Sequence, residues 1–98
     1  MAKNMVSKVI KWEGEGMNPK EEARFFQGLV NSGQAWKLQG AYGRRAMELI
    51  DAGVIMLGTK GHYDYYGNYV PSRYEVKQGT KGSPVYVKLM RKKLEKVM

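Results

Sequence analysis

The stretch between residues 18 and 53 is divided by helix-start and helix-stop residues, and this division constrains the fold more than any other feature. Asn18-Pro19 is typical of a helix start, because asparagine can cap free backbone amides and proline fits the first turn. Asn31-Ser32-Gly33 is a helix stop, and Gly53 is a second one. We therefore expect one helix at about 19–31 and a longer one at about 35–52.

Both predicted helices are amphipathic, which indicates that their apolar faces share a core. At 100° per residue, the apolar residues of the second helix fall within one arc and its charged residues on the opposite side. Trp36 and Tyr42 are accordingly interpreted as core residues rather than stacking platforms. The apolar stripes are Phe25, Phe26, Leu29 and Val30 in the first helix, and Leu38, Tyr42, Ala46 and Leu49 in the second.

Two features of the second helix are unusual. Gly40 and Gly43 lie inside it, and each costs roughly 1 kcal/mol relative to alanine. Close packing, a kink or a binding surface must offset that cost. On the charged face Arg44 and Glu48 are four residues apart and can pair, a contact that contributes only about 0.2–0.5 kcal/mol. Arg45 falls within the apolar arc, so we interpret it as snorkelling or internally paired; the alternative is an anion-binding arginine at the domain edge.

The flanking segments give shorter elements. Met5, Val6, Val9 and Ile10 predict a short helix that ends at residues 13–16, with a strand at 5–12 as the alternative. Residues 54–57 are a short buried segment of either type. Ser83-Pro84 predicts a last helix, although residues 85–87 can also be read as strand.

A tyrosine-rich segment between these elements predicts a β-hairpin. Gly67-Asn68 is the predicted turn, and Tyr74 and Val76 can continue the second strand. Most of the tyrosines are expected to cover the helical core, whereas Tyr66, at the hairpin tip, is the better contact residue. The tyrosines expected to cover the core are Tyr63, Tyr65 and Tyr69.

The expected fold class is therefore mainly α. We predict a small helical fold with a short tyrosine-rich β-hairpin and a C-terminal helix; an α+β fold, KH-like or winged helix-turn-helix, is the alternative. Residues 1–98 are interpreted as a single domain, with a helical half at 1–52 and a basic, aromatic-rich half at 53–98, because neither half is large enough to fold alone.

Composition argues against an enzyme. The absence of cysteine excludes disulfide scaffolds, thiolate zinc sites and cysteine nucleophiles. His62 is the only histidine and is interpreted as a surface loop residue. No P-loop or nucleophile motif is present. We expect no catalytic residue, metal or cofactor. Without a signal peptide or an apolar run that could span a bilayer, we expect a soluble cytoplasmic protein with no membrane association.

Charge favours a nucleic-acid partner. The net charge is +8, and residues 53–98 hold nine basic and three acidic residues. Cations interleaved with tyrosines suit DNA or RNA, because phosphates pair with cations and bases stack on rings. A host protein is the alternative partner. Self-association through Val87, Met90, Leu94 and Val97 is a further one. The predicted nucleic-acid contacts are Lys60, Tyr66, Arg73, Lys77, Lys81, Lys88, Arg91 and Lys92, extended by Arg44 and Arg45.

The run AWKLQGAYGRRAMELIDAG, preceded by FFQGLVNSG, resembles an uncharacterised family of small tailed-bacteriophage proteins with the pattern AWxLQGxYGRxAxxLIxxG. The likeness covers roughly residues 5–57 and implies a phage protein acting in the host cell cytoplasm. Residues 40–43, followed by two arginines, also resemble the GXXG loop of KH domains. The helices joined by a Ser-Gly turn resemble a winged helix-turn-helix, whose exposed residues would be Gln34, Lys37 and Arg44.

Overall fold

The computed structural model describes the backbone of residues 2–38 and 40–97, and the side chains of residues 8–38 and 40–93. The protein is mainly α. Within the described residues, four α-helices account for 54% of the chain, and two short strands form a small antiparallel hairpin. This confirms the predicted fold class. The helices are α1 (Ala2–Gly14), α2 (Pro19–Ser32), α3 (Gly40–Asp51) and α4 (Pro84–Val97), and the strands are β1 (His62–Tyr63) and β2 (Tyr69–Val70).

The ends of α2 are fixed by local hydrogen bonds, as the sequence predicts. The Asn18 side chain accepts a hydrogen bond from the Glu21 amide at 2.9 Å, which caps the helix. At the other end, Gly33 has a φ of 85° and its amide donates to the Val30 carbonyl. A Cβ on Gly33 would lie 2.5 Å from the ring of His62, so this stop is also a point of close packing.

The prediction of one helix over residues 35–52 is wrong. Gln34–Trp36 form a separate 3₁₀ turn, and α3 begins only at Gly40. Ala35 and Trp36 are buried, at 1% and 5% exposure. Tertiary packing therefore holds the turn where periodicity alone predicts continuous helix. Gly40 starts α3 rather than lying inside it, and Leu38 precedes the helix.

The core is built from α2, the 3₁₀ turn, α3 and the segment after α3. Trp36 and Tyr42 belong to it, which confirms their interpretation as core residues. Helix α1 covers one side through Trp12, whose ring centroid lies 5.2 Å from that of Phe26 and 4.9 Å from that of Tyr42. The Met5 and Val6 side chains, also predicted to face the core, lie outside the described residues. The buried core residues are Phe25, Phe26, Leu29, Val30, Ala35, Trp36, Tyr42, Ala46, Leu49, Ile50, Ile55 and Leu57.

Glu22 ties the first three helices together. Its carboxylate accepts hydrogen bonds from the Trp12 indole at 3.0 Å and from two nitrogens of Arg45 at 2.9 and 2.7 Å. A third Arg45 nitrogen donates to Glu48 at 2.9 Å. These bonds confirm that Arg45 is internally paired, and they raise its pKa. Glu48 pairs with Arg45, and the possible pair of Arg44 with Glu48 does not form among the described side chains.

The segment after α3 crosses the C-terminal end of α2 at very close range. A Cβ on Gly58 would lie 2.7 Å from the Val30 carbonyl oxygen, so only glycine fits there. Arg73 fastens this crossing, because its guanidinium donates to the Leu57 carbonyl and to the Asn31 side chain, both at 2.9 Å. The segment 54–57 is neither helix nor strand.

The β-hairpin is shorter than predicted, and its tyrosines are exposed rather than packed on the core. Its strands have two residues each, with His62 opposite Val70 and Tyr63 opposite Tyr69. Residues 73–75 form a turn, so Tyr74 does not continue the second strand. His62 lies in a strand and is half-buried, so its prediction as a surface loop residue is wrong. The tyrosines expected to cover the core are exposed instead: Tyr63 by 65%, Tyr65 by 75% and Tyr69 by 50%.

Helix α4 starts where the sequence predicts. Ser83 is fully buried, and its hydroxyl accepts from the amides of Gly79 at 3.0 Å and Tyr86 at 3.2 Å. Helix continues directly from Pro84, so the strand alternative for residues 85–87 is wrong. Val87 is buried against the rest of the chain, and the Tyr86 hydroxyl donates to the Asp51 carbonyl at 2.8 Å. None of the helices described is long and apolar enough to cross a membrane.

Candidate functional site

Half of the predicted nucleic-acid contacts lie in the loop before α4 and on α4 itself. Lys77 and Lys81 are exposed in the loop, and Lys88, Arg91 and Lys92 are exposed on the helix. We name the exposed cations of this region the α4 basic surface. Its members are Lys77, Lys81, Lys88, Arg91, Lys92 and Lys93.

The loop and the helix are held against each other. The Ser83 hydroxyl donates to the Thr80 carbonyl at 2.8 Å while accepting from the Gly79 amide, so the loop folds back onto the first turn of α4. A hollow of about 320 Å³ lies between them and is lined by Gly79, Tyr86, Leu89, Met90, Lys92 and Lys93. Since Lys88 and Lys92 are four residues apart, they share one face of the helix.

Among the described side chains, no carboxylate neutralises the cations of the α4 basic surface. No ion pair of the described side chains involves any of them. Residues 77–93 contain no acidic residue. The acid that precedes them in sequence, Glu75, is engaged elsewhere: the Ser72 amide and the Tyr69 hydroxyl hold its pKa below the usual range. The surface is therefore available to attract a polyanion.

The other predicted contacts lie apart from this surface. Lys60 is exposed in the loop before β1. Arg73 is half-buried and hydrogen-bonded to Leu57 and Asn31. Arg45 forms ion pairs with the two glutamates described above. Arg44 and Tyr66 line a different depression. The structure thus brings together the predicted residues of 77–92 but not Arg44, Arg45 or Arg73.

The second depression lies along the outer face of α3 and has a volume of about 410 Å³. We name it the α3 groove. Gly40, Gly43, Met47 and Asp51 follow one another along α3 at helical spacing, and the opposite wall is the hairpin turn. Arg44 is its single cation, against three carboxylates among the residues that line it. The lining residues of the hairpin turn are Asp64, Tyr65 and Tyr66.

Comparison with known proteins places this chain in a family. The sequence profile of the domain of unknown function DUF7417 matches residues 1–69. The chain belongs to the DUF7417 family. Neither the curated proteins nor the solved structures yield a match. The DUF7417 match includes α1 to β1 and the α3 groove, whereas the α4 basic surface lies beyond it.

Two interpretations of the DUF7417 region are wrong. The KH-like reading requires a loop at Gly40–Gly43, but these residues form the first turn of α3. The winged helix-turn-helix reading places Gln34, Lys37 and Arg44 on one recognition helix. Gln34 lies in the 3₁₀ turn and Lys37 follows it, so that surface does not form. The exposed face of α3 also carries acidic side chains that repel phosphate.

Several residues that line the two depressions were not among the contacts predicted from the sequence. Tyr86 and Leu89 enter the hollow beside α4, and Met47, Asp51 and Tyr65 enter the α3 groove. The i, i+4, i+7 spacing of residues 44, 48 and 51 was a usable signal, since it places them on one helix face. Among the described residues, no group of three His, Cys, Asp or Glu side chains is arranged to hold a metal ion.

Proposed function

We propose that this DUF7417 protein is a small, non-enzymatic protein that binds DNA or RNA through the α4 basic surface. The supporting observation is the set of six exposed cations, without ion pairs among the described side chains, on a loop and helix held together by Ser83. Phosphates would release their counterions to these cations. Tyr86 and the half-exposed Leu89 offer apolar surface beside them. Lys60 and Tyr66 are proposed as outlying contacts.

The proposed setting is a bacteriophage accessory protein in the cytoplasm of an infected bacterium. It is supported by the resemblance of residues 5–57 to small tailed-phage proteins. The DUF7417 match covers the same stretch of chain. On this proposal the helical region is the scaffold, and the C-terminal basic segment carries the activity.

The test is the salt dependence of binding to fluorescein-labelled single- and double-stranded DNA and RNA, measured by anisotropy. If four to six cations contact phosphate, log Kobs should fall with log salt with a slope of about −4 to −5 on duplex DNA. Absence of binding at low salt, or binding insensitive to salt, would overturn the proposal.

A charge-matched pair of variants locates the surface. Lys77→Glu/Lys81→Glu/Arg91→Glu should weaken binding by about 100-fold or more and reduce the salt slope by about 3. The control, Lys8→Glu/Lys20→Glu/Lys37→Glu, makes the same change in net charge at exposed positions of the first half. It should lose much less affinity. Equal losses would mean that net charge alone, and not this surface, drives binding.

The second candidate function is a protein-interaction factor that inhibits or redirects a host protein machine. One observation favours it: Val85 and Leu89 are 42% and 50% exposed on the same helix as the cations. Apolar side chains contribute little binding free energy against a phosphate backbone. They contribute more against an acidic protein surface that has apolar patches. A pull-down from nuclease-treated bacterial lysate separates the two functions, since a retained protein partner supports the second.

Val87, part of the predicted self-association seam, is buried within its own chain, and the Leu94 and Val97 side chains lie outside the described residues.

A further inference from the structure

The outer face of α3 contains features that lower helix stability without a packing reason. Gly43 lies inside the helix, yet a Cβ there would make ordinary contacts, 3.6 Å from the Ala35 carbonyl oxygen and 3.9 Å from the Trp36 ring. Packing therefore does not require glycine. Asp51 is the last residue of the helix, where the negative end of the dipole disfavours a carboxylate. Both residues line the α3 groove. A glycine inside the helix and a carboxylate at its C-terminal end both lower helix stability. Because they lie on the same surface, they indicate a binding role for it.

The groove is electrostatically uneven along its length. Arg44 folds back over Gly40, since its nearest guanidinium nitrogen lies 3.1 Å from the position of a Cβ there. That is the N-terminal end of α3. Glu48 and Asp51 lie in the last turn, at the opposite end. The Asp51 end thus combines carboxylates with the negative end of the helix dipole, and it attracts cations and repels phosphate.

The carboxylates of the groove differ in the hydrogen bonds and ion pairs that they make within the chain. Glu48 pairs with Arg45. One Asp64 oxygen accepts from the Tyr66 and Asn68 amides at 2.9 and 2.8 Å. The Asp51 carboxylate has no hydrogen bond or ion pair with any described side chain or backbone group. Asp51 is therefore the carboxylate that an incoming cation would meet.

The walls of the groove suit the rest of a cationic side chain. Tyr65 and Tyr66 are 75% and 77% exposed, and their rings pack edge to face with centroids 5.4 Å apart. Exposed aromatic faces attract lysine and arginine through cation–π contacts. Met47 is 42% exposed and offers a flexible apolar surface to an aliphatic stem.

We propose that the α3 groove binds an arginine- or lysine-bearing, otherwise apolar segment of a partner protein. The cation lies at Asp51, and its stem packs between Met47 and the two tyrosines. The α3 groove shares no lining residue with the hollow beside α4, although the Tyr86 hydroxyl joins α4 to the Asp51 carbonyl. The proposal does not depend on nucleic-acid binding at the α4 basic surface.

The experiment is a ¹⁵N NMR titration of the full chain with the peptide acetyl-Leu-Arg-Leu-Leu-amide. The amides of Gly43, Met47 and Tyr66 should shift in a saturable manner. The matched peptide with glutamine in place of arginine should bind about fivefold more weakly, the loss of one exposed ion pair. Asp51→Asn should weaken the arginine peptide by a similar factor. Glu15→Gln, an exposed carboxylate outside the groove, should leave its affinity unchanged.

Any of the following results would overturn the proposal: no shift at groove amides, equal binding of both peptides, an unchanged affinity in Asp51→Asn, or saturation of the groove amides by a dT10 oligonucleotide. Groove shifts that follow protein concentration without peptide would assign the groove to a second copy and would also overturn it. The triple variant of the α4 basic surface should retain peptide binding, so failure of one proposal is distinguishable from failure of the other.

Discussion

Glu22 offers the sharpest test of how the helices are held together. Replacing it by glutamine keeps the shape of the side chain but removes the charge that two nitrogens of Arg45 and the Trp12 indole share. The Glu22 side chain is only 15% exposed, whereas that of Arg45 is 38% exposed. Water can therefore solvate the Arg45 guanidinium more readily than the half-buried position of the Glu22 carboxylate.

The expected cost of Glu22→Gln is about 1–2 kcal/mol near pH 7. Charge-assisted hydrogen bonds contribute roughly 1.5–3 kcal/mol each, but glutamine retains one acceptor and Arg45 retains Glu48 and access to water. In a chain of this size, that loss lowers the melting temperature by about 4–8 °C for each kcal/mol. Urea unfolding followed by circular dichroism at 222 nm measures the change, with an unaltered m-value expected.

The pH dependence of this difference has a defined sign. Hydrogen bonds from Arg45 hold the pKa of Glu22 below its ordinary value of 4.5 in the folded state. The unfolded chain then takes up a proton more readily, so the stabilisation by Glu22 is complete above pH 4.5. It is lost as the pH falls through the lowered pKa. Wild type should therefore lose stability over this acidic window while Glu22→Gln loses less, and the two curves should converge.

Glu21→Gln is the matched control, because Glu21 is adjacent in sequence and pairs with Lys11 of α1 through side chains that are about two-fifths exposed. It should cost clearly less than Glu22→Gln. The reasoning is refuted if Glu22→Gln unfolds at the wild-type urea concentration, if the control costs as much, or if the difference from wild type persists unchanged at pH 3.

Three further substitutions test local features, each by thermal and urea unfolding. Gly33→Ala should destabilise by about 2 kcal/mol or more, because alanine is strained at a φ of 85° and its Cβ meets His62; a neutral result would contradict that packing. Gly43→Ala should stabilise by about 0.5–1 kcal/mol, and a loss instead would show a steric need for glycine. Ser83→Ala should cost about 1–2 kcal/mol, because it removes both the α4 cap and the hydroxyl's hydrogen bonds to the loop; an unchanged stability would contradict these contacts.

Local chemistry made much of the helical framework predictable. The capping of α2 by Asn18 and its end at Gly33 depend on neighbours within a few residues, so the sequence contains the whole signal. The start of α4 at Ser83-Pro84 is equally local. Periodicity missed the break before α3 because Trp36 is held by packing, which no local pattern encodes.

The candidate sites were less predictable because they depend on contacts between distant residues. Arg45 meets Glu22 across 23 positions of sequence, and only its apolar surroundings hinted that it was paired. The cations of residues 77–92 were found because charge is visible in the sequence. The α3 groove was not, since its far wall comes from a hairpin turn that the sequence predicts but cannot place against α3.

The crossing at Gly58 bears on how distant relatives can be recognised. Core side chains can be exchanged for others of similar volume, so the apolar pattern of a family fades as sequences diverge. Position 58 has no such latitude, because any Cβ would meet the backbone of Val30. We therefore expect a relative with this fold to keep glycine at position 58 even after its apolar pattern has diverged. Gly33, where a Cβ would meet the ring of His62, is the second position at which we expect glycine to persist.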